Sequence, residues 1–182
     1  MLILASASPR RREILANAGI PFEIRAASID ETVLPEESAH DHVRRLAEGK
    51  ARAAWQPGDV VLGADTIVTV DDALLGKPRD QDDAARMLRL LAGRSHSVLT
   101  GFCLFDGEAA RVGVEETVVE FAPLSDKEIE DYVATGEPLD KAGAYAIQGA
   151  ASKFIPRIEG CYFNVVGLPI ARVYGFIRSS LR

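Results

Sequence analysis

Cysteine is nearly missing from this chain: Cys103 and Cys161 are the only two in 182 residues, far apart and in no CxxC pair. That excludes a disulfide framework and a thiolate zinc site, and suits two small core residues in a reducing compartment. Histidine is as scarce, with only His40, His42 and His96. His40 and His42, two apart at a helix start, do not share a face and make no metal pair. His96 has no partner in sequence, and none of the three is a candidate catalyst. A Ser-His-Asp set and a nucleophilic cysteine are also absent. No run approaches the roughly 18–20 apolar residues of a membrane span. The N-terminal apolar run stops after four residues, short of a signal peptide, so a cytoplasmic protein is expected. Excess positive charge is lacking too. A net charge of −6 argues against a nucleic-acid polymer as ligand, because such proteins need a broad basic surface.

What is present is globular: 47% hydrophobic and 26% charged residues, in a length that suits one domain spanning 1–182. Basic residues are clustered rather than spread, which points to a small anion in a defined pocket. The clearest cluster opens the chain, LILASASPRRREIL over residues 2–15. A short apolar run, then Ser6, Ala7 and Ser8, then Pro9 and an apolar helical pattern, is the layout of a strand-to-helix phosphate cradle. Ser8 suits the N-cap and Pro9 the first helical position. Arg10, Arg11 and Arg12 in that first turn oppose the helix dipole. A solvated basic turn is one reading. An anion site is favoured, because bound negative charge relieves the conflict.

Further along, Gly19 closes the first helix, residues 22–25 read as a short strand, and a loop carries Asp30, Glu31 and Pro35. Ser38 with Asp41 opens a helix to about Trp55, with Val43, Leu46, Ala47, Ala51 and Ala54 as its apolar stripe. Lys50 lies on that stripe, and either snorkels past the core's edge or points into a cleft at its margin. Residues 60–70, VVLGADTIVTV, fit a buried strand, broken by Asp65 and Thr66. Asp65 could turn a bulge after Gly63. A buried carboxylate is costly unless paired or metal-bound, however, so a functional role is favoured. Neither Gly49-Lys50 nor Gly76-Lys77 is a P-loop, since the leading glycine and the following Ser or Thr are missing. Asp80 caps a helix to Leu91. Residues 97–105 and 111–121 flank Asp106-Gly107 as a hairpin. Ser125 with Glu128 caps a short helix ending near Gly136. Residues 140–149, DKAGAYAIQG, are small enough to let backbone approach something closely. Residues 154–158 read as a strand, and 165–169 lead into a last amphipathic helix. No repeat or linker appears. The expectation is one α/β domain built on a long twisted mixed sheet.

Ser6, Ser8, Arg10, Arg11, Lys50 and Lys77 suit a polyanion such as a triphosphate. Glu31 and Asp65 suit a hard, oxygen-liganded cation such as Mg²⁺. Such a cation neutralises phosphate charge and positions an attacking water, whose proton a carboxylate can accept. From residue types alone, the reading stops at phosphate or phosphoanhydride chemistry.

In order and spacing, LASASPRRREIL, Asp30-Glu31, LAEGKA, GADTIV, GKP, DKAGAYAIQG and VVGLP closely resemble the Maf family of nucleoside triphosphate pyrophosphatases, nearly end to end. The resemblance implies hydrolysis of a nucleoside triphosphate to the monophosphate and pyrophosphate with a divalent cation, Mg²⁺ or Mn²⁺. It also implies an α/β fold like that of inosine triphosphate pyrophosphatases, with a cleft between two lobes. A homodimer is common among relatives, though no sequence feature decides it. By the same resemblance Asp65 is the catalytic acceptor and, with Glu31, a metal partner. Ser6, Ser8, Arg10, Arg11, Lys50 and Lys77 are triphosphate contacts. Arg10, Thr66 and Gln148 stand where the branch acting on dTTP and UTP has Arg, Thr and Gln. The sibling branch, active on N7-methyl-GTP, carries Trp, Gln and Glu there. A glutamine amide both donates and accepts, as the O4 and N3–H edge of uracil or thymine requires. N7-methyl-GTP specificity and a non-catalytic nucleotide-binding regulator of cell division are the alternatives.

Overall fold

Three long strands carry the fold. The structure is a computed structural model that describes residues 1–180. In chain order its strands are β1 (Leu2–Leu4), β2 (Glu23–Ile24), β3 (Val60–Val70), β4 (Ala73–Leu75), β5 (Ser95–Phe105), β6 (Ala110–Glu120) and β7 (Arg157–Glu159). They form one seven-stranded sheet ordered β2-β1-β3-β5-β6-β7, with β4 against β3. The sheet is mixed: β1 runs parallel to β2 and β3, while β4 and β7 run antiparallel to β3 and β6. The helices are α1 (Pro9–Asn17), α2 (Ala39–Ala54), α3 (Gln81–Leu91), α4 (Asp126–Ala134), α5 (Tyr162–Val166) and α6 (Ile170–Ser180).

The helix starts follow their caps. Ser38, Asp80 and Ser125 each accept the backbone N–H three residues on, and Ser125 with Glu128 completes a reciprocal capping box. Ser8 stands at the N-cap of α1 without such a bond. Instead Ser6 Oγ accepts the Ser8 N–H at 3.2 Å. At the other end of α1, Gly19 adopts φ +67° and its N–H bonds Ala16 O, which closes the helix.

The described chain divides into two compact units. One comprises residues 1–65, 100–115 and from 167 onward, and the other 66–99 and 116–166. In the first, α2 buries Val43, Leu46, Ala47, Ala51 and Ala54, the stripe expected from the sequence. A Cβ at Gly63 would run into the carbonyl of Ala47, and one at Gly101 into that of Val43. Two glycines in buried strands therefore let the α2 backbone lie almost on the sheet. In the second unit Met87, Leu88, Leu91, Phe121, Ile129 and Phe154 are core members.

The structure differs from the sequence reading in four places. The strand at 22–25 shrinks to two exposed residues, because only Glu23 and Ile24 register with β1. A short strand absent from the sequence reading, β4, follows the turn at residues 71–72, where Asp71 has φ 50°. Ala150–Phe154 is a 3-10 turn, and the last strand begins only after Pro156, which lacks the N–H a ladder needs. Val165 and Val166 end α5, and α6 begins after Pro169, whose carbonyl accepts Arg172 N and Val173 N.

Candidate active site

Asp65 sits within β3, and the residues around it come from three separate stretches of the first unit. Lys50, from α2, places Nζ 2.6 Å from Asp65 Oδ1 and 2.7 Å from Glu31 Oε1. The lysine and Asp65 side chains are mostly buried, while Glu31 reaches them from an exposed loop. Of the two sequence alternatives for Lys50, the structure has it turned toward acids at the core's margin. The charge of Asp65 is therefore answered, as burial of a carboxylate demands.

Arg11 lies behind this pair. Its Nε donates to Gly167 O at 2.8 Å, and Nη1 donates to Ala64 O at 2.9 Å and Ser6 Oγ at 3.1 Å. It thus ties α1, the residue before Asp65 and the turn ahead of α6 together. Burial pulls the Arg11 pKa down, opposed by the negative charges of Asp65 and Glu31. The sequence implied Arg11 as a phosphate contact; in the structure much of its fork serves the cradle itself. Arg10 is half-buried beside it and Arg12 is exposed.

Lys77, Thr66 and Gln148 belong to the second unit. Lys77 is exposed on the turn between β4 and α3. That turn is bound to the small-residue segment, Gly143 N donating to Gly76 O at 3.1 Å. Gly143 has φ +69°, and a Cβ there would collide with Val68, which explains the glycine in DKAGAYAIQG. Gln148 is exposed on a turn fastened by Glu137, whose carboxylate accepts Tyr132 Oη at 2.7 Å and Ala150 N at 3.2 Å. Tyr132 Oη in turn accepts Ala146 N at 3.2 Å.

Sequence reasoning missed these fastenings, and also a half-buried cluster in the first unit. Glu37 accepts Arg45 Nε at 2.6 Å and Arg45 Nη2 at 2.8 Å, with His42 Nδ1 at 3.0 Å. The Arg45 guanidinium holds the Glu37 carboxyl well below the usual carboxylate range. No periodic rule links a loop residue to a helix residue eight positions on, so the sequence held no signal for this pair.

The donor set fits a hard cation. Glu31 and Asp65 offer carboxylate oxygens, and the Lys50 ammonium already lies between them, so the space accepts positive charge. Among the described residues no group of three or more His, Cys, Asp or Glu is placed to hold an ion. Two carboxylates plus substrate phosphates and waters is the usual Mg²⁺ arrangement.

Relatives extend over nearly the whole chain. The dTTP/UTP pyrophosphatase of Geobacter sp. (strain M21) is 55% identical over 181 residues, 97% of this chain and 94% of that protein. The dTTP/UTP pyrophosphatase of Symbiobacterium thermophilum is 56% identical over 173 residues, 94% of this chain and 89% of that protein. Among solved structures, the Ham1 protein of Staphylococcus aureus is similar over 66% of this chain and 71% of its own, at 12% identity and a TM-score of 0.46. A family model described as Maf-like protein matches residues 1–180. With that match and relatives above half identity, the chain belongs to the Maf family.

Proposed function

We propose that this protein is a nucleoside triphosphate pyrophosphatase that hydrolyses dTTP and UTP to the monophosphate and pyrophosphate. The observation that carries the reading is the Glu31–Lys50–Asp65 cluster beside the Arg11-braced turn, in a chain whose relatives bear that activity in their names. Arg10, Arg11, Lys50 and Lys77, with Ser6 and Ser8 in the turn, hold the triphosphate. Arginine gives forked contacts to phosphate oxygens and lysine gives point charge. Glu31 and Asp65 would hold a divalent cation, Mg²⁺ or Mn²⁺, which when bound neutralises phosphate charge and orients water. Asp65 accepts the proton of the attacking water as the α–β phosphoanhydride bond breaks and pyrophosphate leaves. Gln148 reads the pyrimidine edge, with Arg10 and Thr66 completing the branch-specific set. Both cysteines are free thiols, which supports a cytoplasmic setting.

Purified protein incubated with single nucleotides and Mg²⁺ or Mn²⁺ tests this directly. UTP and dTTP should give monophosphate and pyrophosphate, and Asp65→Asn should lower turnover by ~10²–10⁴-fold while still binding nucleotide. Release of orthophosphate with the diphosphate, or no turnover of either nucleotide, overturns the reading. Preference for N7-methyl-GTP would move the chain to the sibling branch. A variant as fast as wild type would remove Asp65 from the chemistry.

A further inference from the structure

Glu31 reaches Lys50 from a stretch with no regular structure. Residues 25–38 form neither helix nor strand, and Glu31 itself is more than half exposed. Fixing such a segment costs backbone entropy at every residue, so something must hold it where Glu31 can act. Two fastenings do so, and both end on α2, the helix that carries Lys50.

Upstream, Ile29 lies over Gly49, where an added Cβ would come within 3.0 Å of Ile29 Cδ1. Downstream, the buried Glu37 side chain receives the fork of Arg45 and also accepts Leu34 N at 3.1 Å. Arg45 Nη2 donates onward to Thr32 O at 2.9 Å. The ion pair therefore grips the loop's own backbone one and three residues after Glu31. Arg45 and Gly49 are four apart on α2 and share a face, so the two fastenings sit side by side and bracket Glu31.

We infer that Glu37 and Arg45 are positioning residues for Glu31: their ion pair sets the loop so that the Glu31 carboxylate meets Lys50 and Asp65. The inference rests on the proposed role of Glu31 beside the cation. A purely structural ion pair would change stability alone, whereas a positioning pair acts through Glu31 and loses its effect once Glu31 is gone.

A double-mutant cycle separates the two, read twice: as kcat/KM for UTP and as Mn²⁺ affinity of the nucleotide-free protein by electron paramagnetic resonance. Glu37→Gln should lower both by about 10–100-fold, the scale of a misplacement near 1 Å. Arg45→Gln, the other end of the pair, should do the same, and it carries the test if Glu37→Gln fails to fold. Glu31→Gln should lower both at least as far. Adding Glu37→Gln to Glu31→Gln should then change neither by more than about twofold. Losses that multiply in the double variant overturn the inference, as do wild-type values in both single variants or an inert Glu31→Gln. The Mn²⁺ cycle needs no turnover. A wild type that ignores UTP and dTTP would sink the proposed function and leave that cycle to judge the positioning.

Discussion

A lysine ammonium held 2.6 Å from one carboxylate and 2.7 Å from another does two things at once. It answers the charge of two acids that would otherwise repel each other, and it stands where a divalent cation would be drawn. With substrate present, the same lysine is proposed to face phosphate. Lys50→Met, which keeps the apolar stem, should therefore act in opposite directions on two ligands. Mn²⁺ affinity of the nucleotide-free protein should rise about tenfold or more, since unit charges at 4 Å interact by about 4 kcal/mol near a protein surface. The KM for UTP should rise too, because a phosphate contact is lost. Metal titration and steady-state kinetics on one preparation read both. Weaker Mn²⁺ binding would mean that Lys50 only organises the acids. Which acids it meets was not legible in the sequence: the helical stripe placed Lys50 on an inward face and left both destinations open. A strand residue fifteen positions on and a loop residue nineteen before it share no period with α2.

Elements were legible where local chemistry dictates them and obscure where distant backbone does. The Ser38, Asp80 and Ser125 caps and the β-branched run of β3 mark their own boundaries. The sequence allowed Asp65 to turn a bulge after Gly63, yet Gly63 is the place where α2 presses its Ala47 carbonyl toward β3; only the packed helix explains that glycine. His96 is similar. It begins near the start of β5 without a partner in sequence, then finds Tyr145 Oη 2.8 Å from Nε2 and packs edge-on against Phe121. This bond links β5 to the small-residue segment ahead of Gln148. Burial pushes the His96 pKa down from 6.5 to about 4, and Nδ1 has no hydrogen-bond partner among the described residues, so the protonated ring is disfavoured. In the unfolded chain it binds a proton below about 6.5 and in the folded chain only below about 4, so stability falls with pH across that window. The corresponding loss is about 3 kcal/mol, spread between pH 6.5 and 4. Urea midpoints measured over this range should fall for wild type and stay nearly level for His96→Gln, which cannot titrate. The Glu37 carboxylate, depressed from 4.5, contributes its own acid loss only below that value. A wild type level from pH 6.5 to 4 would mean that His96 accepts a proton while folded.

On the scale of the whole chain, the proposed site residues divide between the two units. Glu31, Lys50, Asp65 and the α1 turn belong to one; Thr66, Lys77 and Gln148 belong to the other. Family membership was legible because seven short motifs keep their order along the sequence, and each motif names residue types. Several fastenings of those residues lie outside the motifs, in pairs such as Glu37 with Arg45 and Tyr132 with Glu137. The division also separates the roles: the first unit holds the acids and their counter-charge, and the second holds the residue proposed to read the base. Gln148 can donate to O4 and accept from N3–H of a pyrimidine, whereas glutamate can only accept. Gln148→Glu should therefore lower kcat/KM for UTP and dTTP by ~10²–10³-fold, because a site built on a matched hydrogen-bond pair rejects its mismatch strongly. The Mn²⁺ affinity of the nucleotide-free protein, proposed to be set by Glu31, Lys50 and Asp65, should not move. A nucleotide panel that includes N7-methyl-GTP, run beside a metal titration, reads both. Equal UTP turnover in the variant would remove Gln148 from base recognition, and a parallel loss of Mn²⁺ affinity would mean that the residue acts on the acids instead.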